Sequence, residues 1–219
     1  MVKKHDIESL TCVDGNYRME DRNSVVRVGD GCGFVVEGQS GKRFVVTAAR
    51  CLRRLPLYEE NPDHRDWIYR DLIGPFDAAV TVACMFIDLV ADLAVLGSPE
   101  NWELDEVVEA FEALVASAPA IPIASNPEIH AFRPKEGARL PSFDGSWSAC
   151  EIIATDRGVL IERPVNIDTR MYGSPIVNDD GAAIGLVSHE YGGPYPFLAP
   201  HLPRWLVDEI GASNPPVRG

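Results

Sequence analysis

Gly31-Cys32-Gly33-Phe34-Val35-Val36, followed by Phe44-Val45-Val46-Thr47-Ala48-Ala49-Arg50-Cys51-Leu52, is the stretch on which the reading of this chain turns. Two short runs of β-branched and aromatic residues are separated by Gly38 and Gly41, a strand–turn–strand pattern. The same grammar extends in both directions. Val25-Val26-Arg27-Val28 precedes it, and Ala78 to Phe86 and Leu93 to Leu96 continue it. A helical segment then intervenes. Trp102, Val107, Val108, Phe111, Leu114 and Val115 recur at three-to-four spacing among glutamates, with Ser98 as the expected cap and Pro119 and Pro122 as the stop.

Strands resume after Pro122, at Ser148 to Ala154, Gly158 to Glu162, Ile176-Val177 and Ile184 to Val187. The turn Asn178-Asp179-Asp180-Gly181 joins the last two as a hairpin. A final amphipathic helix is predicted over Leu202 to Ile210, and Ser213-Asn214-Pro215-Pro216 reads as a flexible end or as a linker within a longer chain. Two small β-barrels side by side satisfy this order of elements.

Composition sets the outer bounds. The chain has 219 residues, 46% hydrophobic and 24% charged, which is a globular balance and excludes a disordered or collagen-like chain. A formal net charge of −13 repels phosphate backbones, and the cluster Arg53, Arg54, Arg65 and Arg70 is too sparse to argue for nucleic acid. Ile87 to Leu96 is interrupted by Asp88 and Asp92 and is too short for a membrane span. The polar start Met1-Val2-Lys3-Lys4-His5-Asp6 shows no apolar secretory core, so a cytoplasmic location is expected. Five cysteines, irregularly spaced, then read as free thiols, and without C-x-x-C or H-E-x-x-H no metal site and no cofactor are expected.

Three segments occur in a telling order. Gly31 to Val36 with Val46 to Leu52 comes first, then Asp92-Leu93-Ala94-Val95-Leu96, then Met171-Tyr172-Gly173-Ser174-Pro175-Ile176-Val177 with Gly185-Leu186-Val187-Ser188. Here the chain resembles the trypsin-like serine proteases, in particular their bacterial branch with few disulfides. The pattern of that family is G-x-G-hydrophobic, T-A-A-H-C, D-L-A-V-L and G-x-S-G-[GS]-P. The resemblance runs from about Val25 to Trp205, including Leu198 to Leu206. It implies a mainly β fold of two six-stranded antiparallel β-barrels, a connector helix and a C-terminal helix. Residues 22–98 would form the first barrel, 99–121 the connector, 122–199 the second barrel and 200–212 the last helix, all in one trypsin-like domain over 1–219.

Carrying the family's triad over shows what has changed. The histidine position falls on Arg50, the aspartate is kept as Asp92, and the serine position falls on Tyr172. An arginine side chain cannot serve as a general base, and a phenol ring stands where a small hydroxymethyl should face the carbonyl. Losing the serine or the histidine from such a triad costs about a millionfold in turnover. Oxyanion donors would come from the backbone of Arg170 and Tyr172, enough for a residual ~10³–10⁴-fold effect over water.

A buried Asp92 would need a partner. The expectation is an Arg50–Asp92 ion pair, with Ser188 donating a further hydrogen bond to Asp92 and the Tyr172 ring lying on the Arg50 guanidinium. The rival arrangement sends Arg50 into solvent and leaves Asp92 bonded to backbone. Ser174 is a structural serine in this pattern, and His189 points away from Ser188 by strand alternation. His5, His64, His130 and His201 read as exposed. Cys51 sits where some relatives place half of a disulfide, with Cys32 near the partner position. Two buried thiols are the alternative.

The resemblance therefore implies a degenerate site and a peptide- or protein-binding, regulatory module, one piece of a longer multidomain protein in some bacterial settings. Its cleft would be lined by Ser188, His189, Glu190, Tyr191 and Gly192, where strand addition could capture a peptide. Two other readings stand beside it. One is an active serine endopeptidase with a relocated nucleophile or a site completed by another chain. The other is a purely structural domain whose cleft is plugged by Tyr172 and Arg50.

Overall fold

The computed structural model describes residues 24–52, 67–73, 80–99, 105–124, 136–141, 146–162, 167–188 and 194–211. Trp102, the C-terminal Pro-containing tail and the cleft residues His189 to Gly192 lie outside them. Strands β1 (Val25–Val28), β2 (Gly31–Glu37), β3 (Arg43–Thr47), β4 (Trp67–Ile73), β5 (Val80–Asp88) and β6 (Leu93–Gly97) make the first half. Their order is β1-β2-β3-β6-β5-β4, all antiparallel, and the pairing of Val28 with Ile73 closes them into a barrel. Strands β2 and β6 are nearly continuous apolar runs because both of their faces are covered. All five residues of β6 are buried.

Helix α1 (Asp105–Ser117) packs Phe111, Leu114 and Val115 toward this barrel, against β3 and β5. Its described part begins at Asp105, and residues 100–104, through which the expected cap at Ser98 would act, lie outside the described ones. The Ser98 hydroxyl is buried without a hydrogen-bond partner. The chain then crosses to the second half along two backbone bonds, Ile121 N donating to Val35 O at 2.8 Å and Ala124 N to Ala183 O at 2.9 Å.

The second half holds β7 (Glu136–Pro141), β8 (Trp147–Thr155), β9 (Gly158–Ile161), β10 (Pro175–Asn178) and β11 (Ala183–Leu186) in the order β11-β10-β7-β8-β9. Among the described residues this is a five-stranded antiparallel sheet, one strand short of the six-stranded barrel expected. Its two outer strands are linked by single bridges, Tyr195 to Val159 of β9 and Phe197 to Gly185 of β11. The last stretch contributes bridges and not a full strand. Proline at 194, 196 and 200 removes the donors that a longer ladder would need.

The β10–β11 turn forms as its sequence requires. Gly181 takes φ +83°, and Asn178 Oδ1 accepts from Ala182 N at 2.9 Å. Helix α2 (Arg204–Ile210) starts two residues later than expected, after Pro203. It returns to the first barrel, where Gln39 N donates to Glu209 O at 2.6 Å and Trp205 meets Phe44 edge-on at 5.4 Å. One apolar core, from Phe34, Leu93 and Leu96 to Leu140, Ile176 and Leu186, runs through both halves. Among the described residues no helix is long and apolar enough to cross a membrane.

Candidate functional site

The three triad positions meet where the two halves touch. Beyond β3 the chain turns through a short 3-10 segment, Ala49–Cys51, which buries Ala49 and Cys51 and turns Arg50 outward. Opposite it stands the β5–β6 turn. The Asp88 carboxylate accepts from Val90 N at 2.8 Å and Ala91 N at 3.0 Å, and so fixes the turn that delivers Asp92. Asp92 adopts φ +54°, a left-handed conformation that aspartate tolerates better than most residues.

Asp92 holds the 3-10 segment by both backbone and side chain. Its carbonyl accepts from Ala49 N at 3.1 Å, Oδ1 accepts from Arg50 N at 3.0 Å, and Oδ2 accepts from Arg50 Nε at 2.5 Å. The Arg50–Asp92 pair expected from the sequence is present, with the Asp92 side chain 8% exposed and that of Arg50 37%. The Arg50 guanidinium carbon lies 5.0 Å from the centroid of the Tyr172 ring, within cation–π range.

Tyr172 itself is gripped by the first half. Its carbonyl accepts from Cys32 N at 2.7 Å and from the Cys51 thiol at 3.4 Å. Gly173, at φ +80°, packs so tightly that an added Cβ would lie 2.0 Å from Cys32 O. The Tyr172 hydroxyl is buried with no hydrogen-bond partner, so no proton acceptor touches it.

One expected contact does not form. Ser188 is completely buried and its hydroxyl has no partner, so it does not bond Asp92. Arg50 already supplies two donors to the carboxylate edge that a serine would share. The Ser174 hydroxyl is likewise buried and unpartnered. His201, the single histidine among the described residues, is exposed between β11 and α2.

The oxyanion donors are a second correction. In a second 3-10 turn, Thr169–Met171, the Arg170 N–H donates to Asp168 Oδ1 at 2.9 Å and the Tyr172 N–H donates to Thr169 O at 3.1 Å. Both donors are committed within the turn and do not converge on an open point. The Asp168 carboxylate is also held by its own neighbour's side chain, Arg170 Nε at 3.1 Å and Nη2 at 2.6 Å. These hydrogen bonds from Arg170 keep its carboxyl well below the usual carboxylate range. Asp168 was not singled out from the sequence. The available signal was an aspartate immediately before a short polar turn, a common capping arrangement.

The cysteine geometry is equally specific. Cys32, Cys51, Cys84 and Cys150 are free thiols. The residue facing the Cys51 sulfur is Gly31, whose added Cβ would lie 2.6 Å from it, while Cys32 directs its thiol to Arg170 O at 3.1 Å. The disulfide partner position is thus occupied by a glycine. Burial pushes the Cys51 thiol up to about 11, so it is no nucleophile near neutral pH.

No family model matches the sequence, and no curated protein is found similar to it. Among solved structures, the serine protease of a human pathogenic astrovirus aligns with a TM-score of 0.50 at 12% identity, covering 82% of this chain and 91% of that one. The Rv3671c protease of M. tuberculosis, in an inactive form, aligns at 0.45 and 16% identity over 77% of this chain and 78% of that one. The chain has a serine-protease fold of the chymotrypsin type, two antiparallel β halves with the triad positions between them.

Proposed function

We propose that this chain is a non-catalytic counterpart of the trypsin-like serine proteases, a peptide- or protein-binding regulatory module of a bacterial cytoplasm, carried in some cases by a longer multidomain protein. The observation that supports it most is the filling of the triad site: Arg50 is clamped on Asp92 and the Tyr172 ring lies against its guanidinium. A guanidinium in that place accepts no proton, and the phenol has no base beside it. The commitment of the Arg170 and Tyr172 N–H groups removes the third element of acyl transfer, the charge-stabilising donors. The fold itself is independent of these side chains, so its capacity to lay an extended peptide along a strand can outlast the chemistry.

Two measurements test the reading. Incubation with a fluorophosphonate probe and with fluorogenic peptide libraries is expected to give no labelling and no turnover. Stoichiometric labelling of Ser174 or Ser188, or saturable peptide cleavage by the isolated chain, overturns the reading in favour of an active endopeptidase. Titration of the same libraries by fluorescence anisotropy is expected to give saturable binding. A complete lack of binding would instead leave a domain whose cleft is plugged by Tyr172 and Arg50.

A further inference from the structure

The loss of two triad side chains does not explain why the backbone of residues 168–172 is also arranged against acyl chemistry. Nothing in an Arg50 or a Tyr172 side chain obliges the Arg170 N–H to turn toward Asp168. We propose that Asp168 is an internal lock of this site: its carboxylate fixes the 169–172 turn with the Arg170 N–H facing inward, and so withholds a donor that the turn could otherwise present to a ligand's carbonyl oxygen. This rests on the reading of the site as a degenerate protease centre and adds to it a specific positioning residue.

The contacts converge on this one carboxylate. Oδ1 accepts from the Arg170 backbone N–H at 2.9 Å and from Arg170 Nε at 3.1 Å, and Oδ2 accepts from Arg170 Nη2 at 2.6 Å. The Thr169 hydroxyl lies 3.4 Å from Oδ1. The same residue that supplies the withheld N–H supplies the guanidinium fork that keeps the carboxylate in place, a two-point grip that a lone carboxylate cap lacks. The backbone agrees with the side chain: Asp168 O accepts from Met171 N at 2.8 Å, closing the turn beneath the cap. Asp168 and Arg170 are both well exposed, with side chains 39% and 52% accessible. The lock therefore sits at the surface, where an approaching chain reaches it without the core opening.

What the turn gains on release follows from the rest of the strand. Tyr172 O accepts from Cys32 N across the seam at 2.7 Å, and Gly173 N and Ser174 O both bond Val187 within the second half, so the C-terminal side of the turn is fixed. On its other side the Arg170 N–H is held by the Asp168 carboxylate, in a turn braced as well by the Cys32 thiol on Arg170 O at 3.1 Å and by Tyr172 N on Thr169 O at 3.1 Å. A single oxyanion donor is worth about 10²–10³ in rate where a nucleophile exists.

The experiment uses the full chain. In the Arg50→His/Tyr172→Ser background, which puts back a base and a nucleophile, fluorophosphonate labelling is expected to be about 100-fold slower than in the same chain carrying Asp168→Ala as well. Asp168→Asn in that background, whose amide oxygen still caps the turn, keeps the slow rate. In the otherwise unaltered chain, Asp168→Ala is expected to raise the hydrogen-exchange rate of the Arg170 amide at least tenfold, and Asp168→Asn is not. Equal labelling with and without Asp168→Ala, including none in either, overturns the lock, as does an Arg170 amide whose exchange ignores the substitution or an asparagine that behaves as alanine. Labelling of the unaltered chain would instead refute the degenerate-site reading itself, so the two failures are separate.

Discussion

Asp92 is the residue on which the site's electrostatics can be tested most directly, through the pair Asp92→Asn and Asp92→Ala. The Asp92 side chain is buried and its carboxylate accepts from both the backbone N and the Nε of Arg50. Breaking a fully buried ion pair costs about 3–5 kcal/mol, but the Arg50 side chain keeps 37% of its surface, so solvent screens the pair and the cost falls below that range. Asparagine keeps an oxygen for the Arg50 N–H and tolerates φ +54° as aspartate does. What Asp92→Asn removes is the Oδ2 acceptor for Arg50 Nε, whose place an NH2 donor takes, a lost charge-assisted hydrogen bond of about 1.5–2 kcal/mol after solvent screening. Alanine loses both acceptors and sits in a left-handed conformation, which adds about 1 kcal/mol of backbone cost to an expected total of about 3–4 kcal/mol. Urea denaturation followed by tryptophan fluorescence reads both values, provided the slope with denaturant stays constant. An asparagine variant indistinguishable from the parent, or an alanine variant no worse than asparagine, would refute the argument that this carboxylate is held as half of an ion pair.

Three further outcomes follow from the same geometry. Tyr172→Phe and Ser188→Ala delete buried hydroxyls with no partner, so both are expected to be neutral or to raise stability by about 1 kcal/mol; a loss above 1 kcal/mol on chemical denaturation reveals a hidden partner. Gly173→Ala places a Cβ 2.0 Å from Cys32 O at φ +80°, and is expected to cost at least about 3 kcal/mol or to prevent folding, read by thermal unfolding and soluble yield. Burial holds the Cys51, Cys84 and Cys150 thiols up to about 11, above their ordinary 9.0, so the folded chain keeps protons that the unfolded chain gives up. Stability is therefore expected to be unaffected by these thiols below pH 9 and to decline as pH rises from 9 to 11; a flat profile over that window refutes their burial.

How much of this was legible in the sequence depended on how each strand is buried. Strands β2, β3, β6, β10 and β11 are covered on most faces, so their apolar runs are unbroken and announce themselves. Strand β4, Trp-Ile-Tyr-Arg-Asp-Leu-Ile, was missed because Arg70 and Asp71 interrupt it, and its pairing with β5 shifts register between Tyr69 and Ile73. Strand β7, Glu-Gly-Ala-Arg-Leu-Pro, has almost no strand propensity of its own and is extended because β8 and β10 pair with it on either side. At the site, ordered motifs located Arg50, Asp92 and Tyr172, and charge complementarity gave the ion pair. The direction of the Arg170 and Tyr172 N–H groups was not accessible in that way, because it is decided by the conformation of a three-residue turn and by the side chain that caps it.

Under the function proposed above, that division also explains how such a fold can outlive its chemistry. The seam between the halves is closed by Cys32 N to Tyr172 O at 2.7 Å, Gln39 N to Glu209 O at 2.6 Å and Cys51 Sγ to Tyr172 O at 3.4 Å, with Gly173 allowing the close approach to Cys32 O. Two of these bonds are backbone to backbone, and the third uses a cysteine thiol beside position 50. None needs a histidine at position 50 or a serine at 172. The one obligation a protease site would leave behind is the buried Asp92 carboxylate, which becomes a liability once its imidazole partner is gone. Arg50 meets that obligation with a permanent cation, and the Tyr172 ring covers the guanidinium from the other side. Selection for folding without catalysis would retain the seam and pair the carboxylate, and would be indifferent to the unpartnered hydroxyls of Tyr172, Ser174 and Ser188. All three features occur together in this chain.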